Sequence, residues 1–253
     1  MGVAMIIVID AVNKHLFEDV LDDMYRLRAR VFSDRLGWDV SIEQGREIDR
    51  FDHLDPLYLV GLDTEGEVIS CVRLLQTTGP HMLSDVFSEI LDGEAPLRSS
   101  RIWESTRFCV DTARLSRDGA DTTVSRATCE LMVATLETCR NAGISDIITV
   151  IDPVMNRVLK RSDNAPYDYV GTVKPMGKVS ALAALLDCTD ERIDRVRNFA
   201  ALHENVVLSD AAALELRPVT AQHGLKNREV TVLPGQTGSA AFSPVIGLGH
   251  VPG

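Results

Sequence analysis

Ile102-Trp103-Glu104-Ser105-Thr106-Arg107-Phe108-Cys109-Val110 is an apolar, aromatic stretch with a carboxylate and a guanidinium set inside it. Its length and composition predict a strand. Val68 to Leu75 predicts a second strand, and Cys71-Val72-Arg73-Leu74-Leu75 places Arg73 within it. Both look like central strands, where a charge must be paired or it is costly to bury. Opposite signs on neighbouring strands would pair. The result is either a structural ion network or an active site, since partnered charges in a cleft serve both purposes. Glu104 and Arg107 are three apart, so a flat strand points them to opposite faces. A β-bulge or a splayed strand end at Ser105 to Thr106 would bring them to one side.

Outward from this pair the chain alternates strands and helices. Val3 to Ile9 suits a buried strand, and Tyr58 to Leu62 forms a hairpin with Val68 to Leu75 around Thr64-Glu65-Gly66. Phe17 to Val31 has helical spacing, with Leu21, Met24, Leu27 and Val31 on one stripe. Met82 to Leu91 suits a short helix, and Asp121 to Asn141 a long one ended by Gly143. Ile144 to Ile151 reads as a strand, followed by a helix from Pro153 to Arg161. Val170, Val173 and the run Val179 to Leu186 suggest further strands, and Thr189 caps a helix to Glu204. The whole is one mixed α/β (α+β) body over residues 1–205. Residues 206–233 form a C-terminal extension. Residues 234–253 hold five glycines, three prolines and no charge, a composition expected to stay disordered.

The chain has 253 residues, 45% of them apolar and 25% charged, with a net charge of −11. That charge argues against nucleic acid or an anionic membrane as a general partner. No apolar run is long enough to span a bilayer, and Met1 to Asp10 lacks the basic start of a signal peptide. The five cysteines, Cys71, Cys109, Cys129, Cys139 and Cys188, have no framework spacing and read as buried free thiols of a cytoplasmic protein.

Two further clusters break the local pattern. Arg28, Phe32 and Trp38 put arginine and aromatics on a polar segment: a helix end folded into the core, or an arm that closes over a cationic ligand. Glu47-Ile48-Asp49-Arg50-Phe51-Asp52 is either a solvated acidic loop or a carboxylate group for an amine or guanidinium. In an extended chain, Glu47, Asp49 and Phe51 share a side and Asp52 does not.

Together these residues resemble the LuxI-type acyl-homoserine lactone synthases, which make quorum-sensing signals. The matching positions are Arg28, Phe32, Trp38, Glu47, Asp49, Asp52, Arg73, Phe87, Glu104 and Arg107. The strings Thr78-Gly79-Pro80-His81-Met82-Leu83 and Glu104 to Asp111 also match, the latter closest to the rhizobial-type branch. The resemblance implies a GNAT-like N-acyltransferase fold, a mixed sheet flanked by helices. It implies S-adenosylmethionine and an acyl thioester, on acyl carrier protein or CoA, as substrates, with no metal or cofactor. Glu104 is the expected general base. Asp49, Asp52 and Glu47 would position the amine or the pocket arginines, and Arg73 and Arg107 would lock these acids. Arg28 would hold the substrate carboxylate, with Phe32 and Trp38 over the sulfonium.

Met82, Phe87 and Thr149 would face the acyl chain. Pro153 to Ser180 holds five basic and two acidic residues, and Arg157, Arg161, Lys174 and Lys178 would steer an acidic carrier. Two other readings stay open. A CoA-dependent GNAT N-acetyltransferase would need a phosphate-cradling Gly-x-Gly/Ala loop, and Arg140-Asn-Ala-Gly143-Ile-Ser matches it poorly. A non-catalytic ligand-binding member of the fold would bind S-adenosylmethionine without turnover.

Overall fold

The computed structural model describes residues 5–115, 124–176 and 179–216. Its centre is a seven-stranded sheet: β1 (Met5–Ile9), β4 (Leu57–Leu62), β5 (Val68–Gln76), β6 (Ile102–Val110), β7 (Asp146–Ile151), β9 (Val179–Asp187) and β8 (Asp168–Met176), in that spatial order. β2 (Ile42–Glu43) and β3 (Arg46–Glu47) form a separate small hairpin. All neighbours in the large sheet are antiparallel except β6 and β7. That parallel pairing stops at Ser105 and Thr149, although β6 runs on to Val110 and β7 to Ile151. The two strands therefore part, and a wedge opens in the middle of the sheet.

Helix α1 (Glu18–Arg28) covers one face with Val20, Met24 and Leu27 buried, and the short α3 (Thr112–Leu115) follows β6. The other face is covered by α4 (Arg126–Asn141), which is buried along most of its length against strands and α6 (Asp190–Phe199). Ser125 caps α4 by accepting the Thr128 N–H, and Gly143 takes the left-handed conformation just past its end. α5 (Pro153–Arg161) begins at Asp152, whose side chain accepts the Met155 N–H. All five cysteines are buried and free. Among the described residues, no helix is long and apolar enough to cross a membrane.

Several expected boundaries move. The helix from Phe17 to Val31 ends at Arg28 and passes into a π-turn, Ala29–Arg35. Met82 to Leu91 breaks into α2 (Met82–Asp85) and a 3-10 turn, Ser88–Leu91. The helix expected to reach Glu204 stops at Phe199, and α4 begins at Arg126 rather than Asp121, with residues 121–123 outside the described set. The expected tail over 234–253 also lies outside the described residues.

Candidate active site

The bulge in β6 decides the site, and it sits two residues beyond its expected place. Cys71 opposes Cys109 and Arg73 opposes Thr106, so the single residue Val72 faces both Arg107 and Phe108. Arg107 takes φ 54°, the left-handed conformation that glycine adopts most easily at such a bulge. The extra residue turns Arg107 to the same face as Glu104 and Thr106. The acidic segment is also not extended where it matters. Arg50–His53 is a 3-10 turn with a capping box: Asp49 accepts the Phe51 N–H, and Asp52 accepts the Asp49 N–H. This turn swings Asp52 to the side of Glu47 and Asp49, where a flat strand would have separated it.

Three arginines meet three carboxylates here. Arg28 donates from Nε to Glu47 Oε2 at 2.6 Å, and from Nη1 and Nη2 to both oxygens of Asp52 at 2.8 and 2.9 Å. Arg73 forks onto Asp49 at 2.6 and 2.9 Å, reaches Asp52 at 2.8 Å, and donates from Nε to Thr106 Oγ1 at 3.0 Å. Arg107 joins Glu47 at 3.0 Å to Asp49 at 2.8 Å. Three positive and three negative charges close the network, and buried pairs of this kind hold only when the remaining lone pairs are also used. Burial would raise the Asp52 carboxyl. The hydrogen bonds and charge of Arg28, with the charge of Arg73, outweigh it and hold Asp52 well below the usual carboxylate range. Tyr58, which the sequence marks only as a strand residue, donates its hydroxyl to Asp52 Oδ1 at 2.6 Å, and its own ionisation is pushed up by burial and by the Asp52 charge.

Glu104 stands apart. Its side chain is 0% exposed, and its two oxygens accept the backbone N–H groups of Met82 and Leu83, each at 2.6 Å. Burial pushes its carboxyl up to about 7, against the opposing pull of those two N–H groups and of Arg73. It forms no ion pair among the described residues.

Arg28, expected to hold a substrate carboxylate, is 0% exposed and has its guanidinium committed to Glu47 and Asp52. In this arrangement it organises the acids. Arg107 keeps 12% of its side chain exposed and Asp49 17%, so these two form the accessible rim. Phe32 is buried beneath Arg107, whose guanidinium lies 5.5 Å from the ring centre. Trp38 stacks on Phe32 with centroids 5.1 Å apart and remains 39% exposed. Arm and network are therefore one assembly.

The residues expected at the acyl chain divide. Phe87 packs with Leu83, Ile90 and Ile148, and Thr149 is the last β7 residue paired to β6, at the mouth of the wedge. Met82 packs on Phe87, Phe51 and Leu75, but its sulfur accepts Arg73 Nη2 at 3.3 Å, so it also seats the network. On α5, Arg157 and Arg161 are exposed and have no ion-pair partner among the described residues. Lys174 is not free for a carrier, because it is paired with Asp92 at 2.7 Å. Lys178 lies outside the described residues.

The autoinducer synthase family model matches residues 13–196. The chain belongs to the autoinducer synthase family. It is 37% identical over 180 residues to an acyl-homoserine-lactone synthase of Agrobacterium fabrum, covering 71% of this chain and 84% of that one. It is 39% identical over 149 residues to the acyl-homoserine-lactone synthase of Aeromonas salmonicida, covering 59% and 70%. Among solved structures, a CoA-dependent acyl-homoserine lactone synthase, BjaI, with SAM and isopentyl-CoA, aligns with a TM-score of 0.71 at 27% identity, covering 85% of this chain and 99% of that one. The mixed seven-stranded sheet with flanking helices is the expected GNAT-like architecture, and these relatives favour a synthase over the acetyltransferase and non-catalytic readings.

Proposed function

We propose that this acyltransferase joins an acyl thioester to the α-amine of S-adenosylmethionine and releases an N-acyl-L-homoserine lactone. The observation that carries the mechanism is Glu104, one carboxylate left outside a charge-balanced network and poised near neutrality. An ordinary α-ammonium group titrates at about 7.7–8.0, close enough for an efficient proton transfer to such a base.

The first bond forms when the deprotonated amine attacks the thioester carbon. The carbon–sulfur bond breaks, and the proton given up by nitrogen leaves with the thiolate through Glu104. The second forms when the methionine carboxylate attacks its own γ-carbon. The bond to the sulfonium breaks, methylthioadenosine departs, and one proton goes to solvent over the cycle. The sulfonium is already a good leaving group, so alignment is most of what the protein adds. Arg107 is the network arginine a substrate carboxylate can reach, and the open face of Trp38 suits the sulfonium. Both steps are displacements at activated centres and need no metal or cofactor. A cytoplasmic enzyme meets both substrates, and buried free thiols suit that compartment.

The acyl thioester enters where β6 and β7 part, with its chain toward Phe87 and Ile148. Arg157 and Arg161 give an acidic carrier its docking face. Arg161 also borders a hollow of about 480 Å³ shared with Arg126, Val124 and Phe199. Mass spectrometry of medium from a host expressing the protein tests the reading. A lactone that depends on Glu104 supports it. Absence of lactone, with no thioester consumed in the presence of S-adenosylmethionine, overturns it.

A further inference from the structure

The matched family region stops at residue 196, yet the chain beyond it returns to the first strand. Ile6 N–H donates to the Val206 carbonyl at 3.0 Å, and Leu208 N–H donates to the Ile6 carbonyl at 2.8 Å, so Val207 bridges β1 in parallel. Without this segment β1 would present an unpaired outer edge. The chain then forms a short helical turn over 210–216. It is tied down where the Asn13 side-chain amide donates to Asp210 at 3.2 Å, and where Ala212 N–H donates to Ser209 Oγ at 3.2 Å.

What this turn buries links it to the site. Ala213 is 1% exposed and belongs to the same apolar cluster as Phe17, Val20, Met24 and Leu27, with Leu208 and Leu214 packed against it. That cluster runs without a break to Phe32 and Tyr58. It is the seat of α1, whose last residue is Arg28, and of the π-turn that carries Phe32. The donor side is built from other material: Phe87, Leu83, Ile148 and Ala183 form a separate cluster.

We propose that residues 206–216 form a strap that positions α1, and through it the acids that Arg28 holds and the Phe32 ring beneath Trp38, for S-adenosylmethionine. This rests on the function proposed above. The strap touches no reacting atom, so its residues are positioning residues. Its signature is an asymmetry between substrates: loosening it disturbs the S-adenosylmethionine side and leaves the donor side intact.

The test uses the full-length chain. Ala213→Asp and Leu208→Asp place a charge against the α1 cluster, and each is expected to raise the S-adenosylmethionine KM about tenfold, since small displacements of positioned groups are costly. The acyl-donor KM should stay within about twofold, and Ala213→Ser should behave as the parent. Equal changes in both KM values, or parental kinetics per folded molecule, overturn the strap. Where the aspartate variants do not fold, Asp210→Ala removes only the tie to Asn13 and should raise the same KM about two- to threefold; an unchanged value overturns the proposal. Calorimetric S-adenosylmethionine binding separates the two ideas. If the parent makes no lactone, the proposed reaction falls, while weaker binding by Ala213→Asp still supports the strap and unaltered binding overturns it.

Discussion

Asp52 and Glu104 are both carboxylates buried within the same face of the sheet, and they titrate in opposite directions. Asp52 lies between two guanidinium groups and a phenol, and is held ionised far below its ordinary range. Glu104 has only two backbone N–H groups, and burial brings it to about 7. The comparison teaches that partners, rather than burial, divide holding from proton transfer. Full charges fix Asp52 in one state. Dipoles satisfy the Glu104 oxygens yet leave its proton free to come and go.

The most direct way to break this contrast is Glu104→Gln, which keeps the shape and removes the base. Turnover per folded molecule should fall about 10²–10⁴-fold, with a loss of about 1–3 kcal/mol of stability because the new amide NH2 faces one of the two buried N–H groups; steady-state rates beside a thermal melt check it, and parental turnover would strip Glu104 of its role. The converse is Asp52→Asn. It leaves Arg28 and Arg73 facing one carboxylate fewer, and should cost about 3–5 kcal/mol of stability in urea unfolding.

A third prediction sets the two groups against pH. The raised Glu104 contributes stability that is complete below about 4.5 and is lost as pH climbs through about 7, roughly 3 kcal/mol in all. Asp52 runs the other way: its contribution is present above the ordinary carboxylate range and disappears only in strong acid. Turnover needs Glu104 ionised, so rate should rise through about pH 7 where stability declines. Unfolding curves across pH should show that slope in the parent and lose it in Glu104→Gln. The smallest expected effect lies farthest from both acids. Arg157→Glu with Arg161→Glu should raise the carrier KM about tenfold and spare the S-adenosylmethionine KM; an unaltered carrier KM moves docking elsewhere.

Much of this site could be read from residue types alone. Arg73, Glu104 and Arg107 stood out because charges inside apolar strands demand partners, and β5, β6 and α5 fell close to their expected bounds. What escaped depends on backbone geometry created by tertiary pairing. The capping box that swings Asp52 inward follows from how Asp49 meets Phe51. The bulge lies at Arg107 because β5 and β6 change register opposite Val72. Arg28 looked available for substrate until its distance to Glu47 and Asp52 was known, and Tyr58 gave no signal because a tyrosine in a strand is ordinary core.

The left-handed backbone of Arg107 has a practical consequence for anyone dissecting the enzyme. Truncation to alanine would delete a charge and also leave a methyl group in a conformation that alanine resists. Arg107→Gly removes the same charge while fitting the bend, and Arg107→Lys keeps the charge but loses the two-pronged grip. Read side by side, the three variants separate chain shape, electrical balance and grip at one position.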